Sequence, residues 1–218
     1  MTTTEERLLD ITTHPRHLCS HAIWTAWRRL LEANAALFLT NPRGNLSVDG
    51  NAMAEIFRGY LQSRLRGAVL DIGCGPQPKP SYLRGYPDEL ITGIDPLIME
   101  LGSPNRIPAI AERLPFVGES FTTAIAATSL DHLLNINAAL AEVYRVLVPG
   151  GRFVCWVRYW PGSPIYDPFG AVNAPDPHHL YHLDTWFEWL AVQAGFRLSH
   201  SFTYSTPKPG TFLTHAKP

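Results

Sequence analysis

The chain has 218 residues, of which 45% are hydrophobic and 17% charged, with a formal net charge of −1. That composition supports one packed domain with an appended helical segment and argues against global disorder. It offers no basic field for nucleic acid or an anionic membrane, so neither is expected as a partner.

Three widely spaced cysteines, Cys19, Cys74 and Cys155, predict neither a disulfide framework nor a zinc cluster. The start, MTTTEERLLD, carries no apolar signal region, and no apolar run nears the roughly 20 residues of a membrane span. A soluble, cytoplasmic protein is expected.

In chain order, residues 18–39 place Ile23, Trp27, Leu30, Leu31, Asn34, Leu37 and Phe38 at mostly three- and four-residue spacings, which predicts a helix. NPRGN, 41–45, is a turn signal, and 50–65 predicts a second helix. Trp24, Trp27, Phe38, Phe57 and Tyr60 give this region the character of a helical cap, or of ordinary core. From residue 67 strands and helices alternate: AVLDIG (68–73), ELITGID (89–95) and FTTAIAATS (121–129) read as strands. A helix over 137–147 is expected to stop at Pro149, Gly150 and Gly151 before a strand over 151–160. A helix over 183–195, with Asp184 as N-cap and Gly195 just past its end, precedes a closing antiparallel pair. This alternation implies a parallel α/β sheet with helices on both faces and a ligand beyond the carboxyl ends of its strands.

Such a ligand site begins in VLDIGCGPQPKP, residues 69–80. Gly73 and Gly75 allow a tight turn and close approach at the end of the first strand. Asp95 ends the next strand, where an acid accepts hydrogen bonds from ribose hydroxyls. A dinucleotide turn would want a third glycine, and Pro78 stands there instead. Asp71 is a poor neighbour for phosphates and suits a cation. The pattern points to a cofactor without pyrophosphate.

VLDIGCG, GIDP, AERLPF and EVYRVLVPGGRF, in this order, resemble the class I S-adenosylmethionine-dependent methyltransferases, in particular the ubiquinone/menaquinone and small-molecule branch. The resemblance covers roughly residues 67–200. It implies a Rossmann-like seven-stranded sheet with the last strand antiparallel, over 67–218, preceded by an N-terminal helical cap, 1–66. It implies S-adenosylmethionine as cofactor and S-adenosylhomocysteine as product. Asp71, Gly73 and Gly75 would line the methionine part, Asp95 the ribose, Ala111 and Glu112 the adenine, and Thr128, Ser129 and Leu130 the cofactor floor. Two positions depart from the family pattern: the turn lacks its third glycine near Gln77, and Ile110 stands where an aspartate often meets the adenine amino group.

His132, after the fourth strand of that sheet, is expected near the transferred methyl as a general base or an orienting donor, with Asp131 as its orienting group or a cap. His178, His179 and His182 lie in a proline-marked loop and read as pocket edge or structure; a metal would need His178 and His182 on one helix face, and none is expected. Tyr159, Trp160, Tyr166 and Phe169 give the loop after the fifth strand an aromatic, mostly apolar face. TSLDHL is not the [DN]PP[YF] tetrapeptide of nucleobase and glutamine amino-group methyltransferases. The expected activity is methyl transfer to a small organic molecule, at a hydroxyl oxygen. The alternative is a protein that keeps the fold and binds the cofactor without methylating.

Overall fold

The computed structural model describes residues 15–40, 51–75, 79–98, 105–160, 179–205 and 209–218. Helix α1 spans His21–Thr40 and α2 spans Ala52–Leu61. Asn51 caps α2, its side chain accepting from the backbone N–H groups of Met53 and Ala54. Then follow β1 (Val69–Ile72), β2 (Ile91–Ile94), β3 (Arg106–Ile107), β4 (Phe121–Ala127), α3 (Ile136–Val146), β5 (Leu147–Val157), α4 (Trp186–Gln193), β6 (Arg197–Tyr204) and β7 (Gly210–Ala216).

Among the described residues seven strands form one sheet in the order β3-β2-β1-β4-β5-β7-β6. β1 to β5 pair in parallel, while β7 runs antiparallel to both β5 and β6. This is the expected Rossmann-like sheet. Strand alternation sends its side chains to two cores. Val69, Ile125, Val154 and Phe212 pack with Phe57 and Leu61 of α2. Leu70, Ala124, Phe153 and Leu213 pack with α1, α3 and α4 on the other face. Chain order reverses between β1 and β4, which makes their carboxyl ends the crevice of the sheet.

Four local expectations change. The short β3 carries no run long enough to be read from sequence. Between β1 and β2, where strand–helix alternation implies a helix, the chain forms two 3₁₀ turns, Ser81–Leu83 and Asp88–Leu90. Pro80, Pro87 and Gly85, at φ +90°, leave no room for a longer ladder. α3 ends at Val146 because β5 starts at once, so Pro149, Gly150 and Gly151 lie inside β5, beside a register shift between Phe121 and Thr123. Asp184 accepts from the N–H of Thr185 rather than capping α4, which begins two residues later. Gly195, at φ +100°, does end that helix as expected.

Candidate active site

The carboxyl ends of β1, β2 and β4 open into a cavity of about 230 Å³. It brings together Gly73, Gly75, Asp95, Ala111, Glu112, Thr128, Ser129 and His132, eight of the residues expected from sequence. Helix α1 closes one side with Trp27, Leu31, Asn34, Leu37 and Phe38.

The glycine turn is built by close contact. Gly73 sits at φ +73°, and a Cβ there would fall 2.3 Å from the Cβ of Ser129. Ser129 in turn donates from Oγ to the carbonyl of Ile72 at 2.7 Å, locking β1 to the loop after β4. Thr128, β-branched, stands at φ +55° on the cavity wall, an outlier of the kind that clusters at functional sites. Asp95 accepts from the N–H of Gly75 at 2.9 Å and of Leu97 at 2.8 Å, so both of its oxygens are held rigidly.

Asp71 is fully buried but does not line this cavity. Strand alternation turns its side chain toward the α2 face, where the Tyr82 hydroxyl donates to its carboxylate at 3.0 Å. Tyr82 itself reaches the cavity wall and so links Asp71 to the cavity. Desolvation pushes the Asp71 carboxyl up to about 7, only partly countered by the Tyr82 hydrogen bond. Burial also raises Asp95 and Glu112. Glu112 accepts from the N–H of Asn135 at 3.0 Å and thereby anchors the start of α3. Leu130 points into the core and is absent from the wall, because the 3₁₀ turn Leu130–His132 rotates it inward.

That same turn presents His132 to the cavity. Its Nδ1 lies 2.6 Å from Oδ1 of the buried Asp131. The other oxygen of Asp131 lies 3.7 Å from Nε2 of His179. The N–H groups of Leu180 and Tyr181 donate to the Asp131 carbonyl, and Trp27 Nε1 donates to the His132 carbonyl at 2.9 Å. The histidine is thus held from three directions. Asp131 lies against His132 as its adjacency in sequence suggested, whereas the hydrogen bond from Trp27 is a part of the site that sequence spacing did not reveal.

The remaining expected pocket residues stand behind this wall. Tyr159 donates to Glu188, and Trp160 packs between the Arg158 guanidinium at 4.2 Å and the His182 ring at 4.6 Å. His179 meets both Trp160 and His132 edge-on. None of Tyr159, Trp160, His179 and His182 lines the cavity, because these contacts among themselves occupy their side chains. Gln77, Pro78, Tyr166, Phe169 and His178 lie outside the described residues. Among the described residues no group of three metal-ligating side chains converges, and no helix is long and apolar enough to cross a membrane.

Comparison with known proteins matches this geometry. The methyltransferase domain family matches residues 70–155, which run from β1 into β5. Over those residues the chain is similar to the methyltransferase domain family. It is 35% identical over 147 residues to the O-methyltransferase cnsE of Penicillium expansum, covering 60% of this chain and 52% of that protein. It is 47% identical over 49 residues to the ubiquinone/menaquinone biosynthesis C-methyltransferase UbiE of Bartonella quintana, covering 22% and 19%. The matched stretches therefore span about half of the first relative and a fifth of the second. Among solved structures, the Burkholderia thailandensis 1,6-didemethyltoxoflavin-N1-methyltransferase, with bound S-adenosylhomocysteine, superposes with a TM-score of 0.65 at 19% identity, over 94% of this chain and 93% of that one. The [4+2]-cyclase SpnF superposes with a TM-score of 0.65 at 18% identity, over 92% and 98%. These two likenesses show the fold.

Proposed function

We propose that the protein transfers a methyl group from S-adenosylmethionine to a hydroxyl oxygen of a small organic molecule. The observation that carries this reading is the Asp131–His132 pair, 2.6 Å apart, presented to the same cavity as the glycine turn and Asp95.

The residues present suit the cofactor. Gly73 and Gly75 leave the backbone open to it, and Asp95 stands where it can accept from ribose hydroxyls. Asp71, Asp95 and Glu112 are buried acids raised by desolvation, and a bound cation relieves that cost. When bound, the cofactor supplies an electrophilic methyl on a sulfonium. The chain's own work is orientation and proton removal. Asp131 holds Nδ1 of His132, which turns Nε2 toward a hydroxyl proton; the imidazole takes that proton as the oxygen becomes a nucleophile. Trp27 excludes water and fixes the backbone of the base. The two relatives methylate oxygen and carbon by their names, and the oxygen reading rests on the base.

A second reading, cofactor binding without methylation, has its own observation. Ile110 lines the cavity, and the Glu112 carboxylate is already engaged by Asn135, so an adenine amino group meets no unengaged acid from this loop. The same fold serves a cyclase. Calorimetry with S-adenosylhomocysteine, followed by turnover on a panel of phenols, separates the two. Asp95→Ala should abolish binding. His132→Gln should leave binding intact and lower turnover by roughly 10²–10⁴-fold. Undiminished turnover in His132→Gln removes the base, and binding with no turnover on any acceptor leaves the second reading.

A further inference from the structure

The wall that α1 lends to the cavity is apolar with one exception. Trp27, Leu31, Leu37 and Phe38 are hydrocarbon or aromatic, and Asn34 sits among them one turn from both Leu31 and Phe38. Asn34 is half-buried, so water pairs its amide while the site is open, and a molecule that covers it without pairing it imposes a cost. The Asn34 side chain makes no hydrogen bond to any described residue and borders the cavity. Across the cavity, Leu133 and Trp156 continue the apolar surface. No charged side chain comes from the α1 face.

We propose that Asn34 is the residue that selects the acceptor: a flat, uncharged, largely apolar molecule with one hydroxyl or carbonyl that the amide reads. This rests on the methyltransferase reading for the word acceptor, but the binding it describes does not need that reading. The apolar walls hold the body of the molecule by area. The amide supplies both a donor and an acceptor, so it serves a hydroxyl or a carbonyl equally. A molecule lacking that group leaves the amide unpaired against hydrocarbon, and a site built this way discriminates more sharply than one reading shape alone. His132 then takes the proton, while Asn34 decides which molecule arrives with its hydroxyl in place.

The test uses two probes of equal shape, 2-naphthol and naphthalene, titrated by their fluorescence into the full chain and into Asn34→Leu, each with and without saturating S-adenosylhomocysteine. Leucine keeps the volume and removes the polarity. The expected result is that the native chain prefers 2-naphthol by roughly tenfold or more. In Asn34→Leu that preference disappears while naphthalene binds at least as well, with S-adenosylhomocysteine affinity unchanged. A preference that survives in Asn34→Leu overturns the proposal. So does equal loss of both probes, or failure of both to bind the native chain. If S-adenosylhomocysteine fails to bind while the Asn34-dependent preference holds, the methyltransferase reading falls and this one stands. If it binds and the preference fails, the reverse is true.

Discussion

Asp71 shows how one residue's environment becomes a measurable property. Its carboxyl is raised from 3.8 to about 7 by burial. An acid raised in the folded state keeps its proton where the unfolded chain has lost it. Its contribution to stability is therefore full below about pH 4 and is lost as pH rises through 7, by about 4 kcal/mol in all. A bound cation favours the ionised carboxylate and so expels the proton. The affinity for S-adenosylmethionine should then rise from pH 6 to pH 8 relative to that for uncharged-sulfur S-adenosylhomocysteine. Paired calorimetric titrations at the two pH values check this, and a pH-independent ratio would show that the Asp71 field does not reach the ligand. Sequence identified Asp71 as a cation's neighbour. It did not show that strand parity points the side chain away from the cavity and onto Tyr82. Leu130 failed for a similar reason, since a single 3₁₀ turn decides which of three consecutive residues faces inward.

Strand β7 carries a second ionisable group with the opposite sign. His215 is fully buried among Phe153, Phe187 and Phe196, and neither ring nitrogen has a hydrogen-bond partner among the described residues. Desolvation lowers it to about 4. It must remain neutral in the fold, so stability is lost as pH falls from 6.5 toward 4, by up to about 3 kcal/mol. Asp71 gains over much of the same range, so these two contributions offset one another. His215→Leu removes one side of that balance and two unsatisfied nitrogens. Urea denaturation should find it more stable than the native chain, with an advantage that grows from pH 7.5 to pH 5. An advantage independent of pH would mean that His215 takes up protons alike in the folded and unfolded chain and is not held neutral by burial. Elements of this kind were legible from sequence where periodicity was strong. The strands at 69–72, 91–94 and 121–127 and the helix at 21–40 fall where alternation and spacing put them. The two-residue β3 and the 3₁₀ turns after Pro80 have too few residues to carry a period.

For the molecule as a whole, the two cores and the cavity are linked through the ends of β1 and β4. A ligand that joins Gly75, Asp95 and the loop after β4 ties three chain segments together. Saturation with S-adenosylhomocysteine at about 100 times its dissociation constant should stabilise the fold by about 2.7 kcal/mol. For a domain of this size that is a rise of roughly 5–10 °C in melting temperature, read by calorimetry. No rise at that concentration would mean that the folded chain does not bind the compound in preference to the unfolded chain, in this cavity or elsewhere. The overall architecture was legible because four motifs fell in order along one chain. The acceptor side was much less so. Trp27 and Phe38 line the cavity, whereas Phe57 and Tyr60, equally aromatic, pack on the far face of the sheet with Phe212. Composition cannot separate residues that differ only in which side of a sheet their helix covers.

The hydrogen bond from Trp27 to the carbonyl of His132 bears on timing. The helix that covers the cavity also holds the loop that carries His132, the proposed base. On the proposed reading, a lifted helix would release that loop, and an open site would be an idle one. A methyl donor waiting without its acceptor is exposed to water, and a base left in position would squander it. Trp27→Phe keeps the aromatic area and cuts the grip. It should slow methylation of a true acceptor while raising the wasteful hydrolysis of S-adenosylmethionine measured without one.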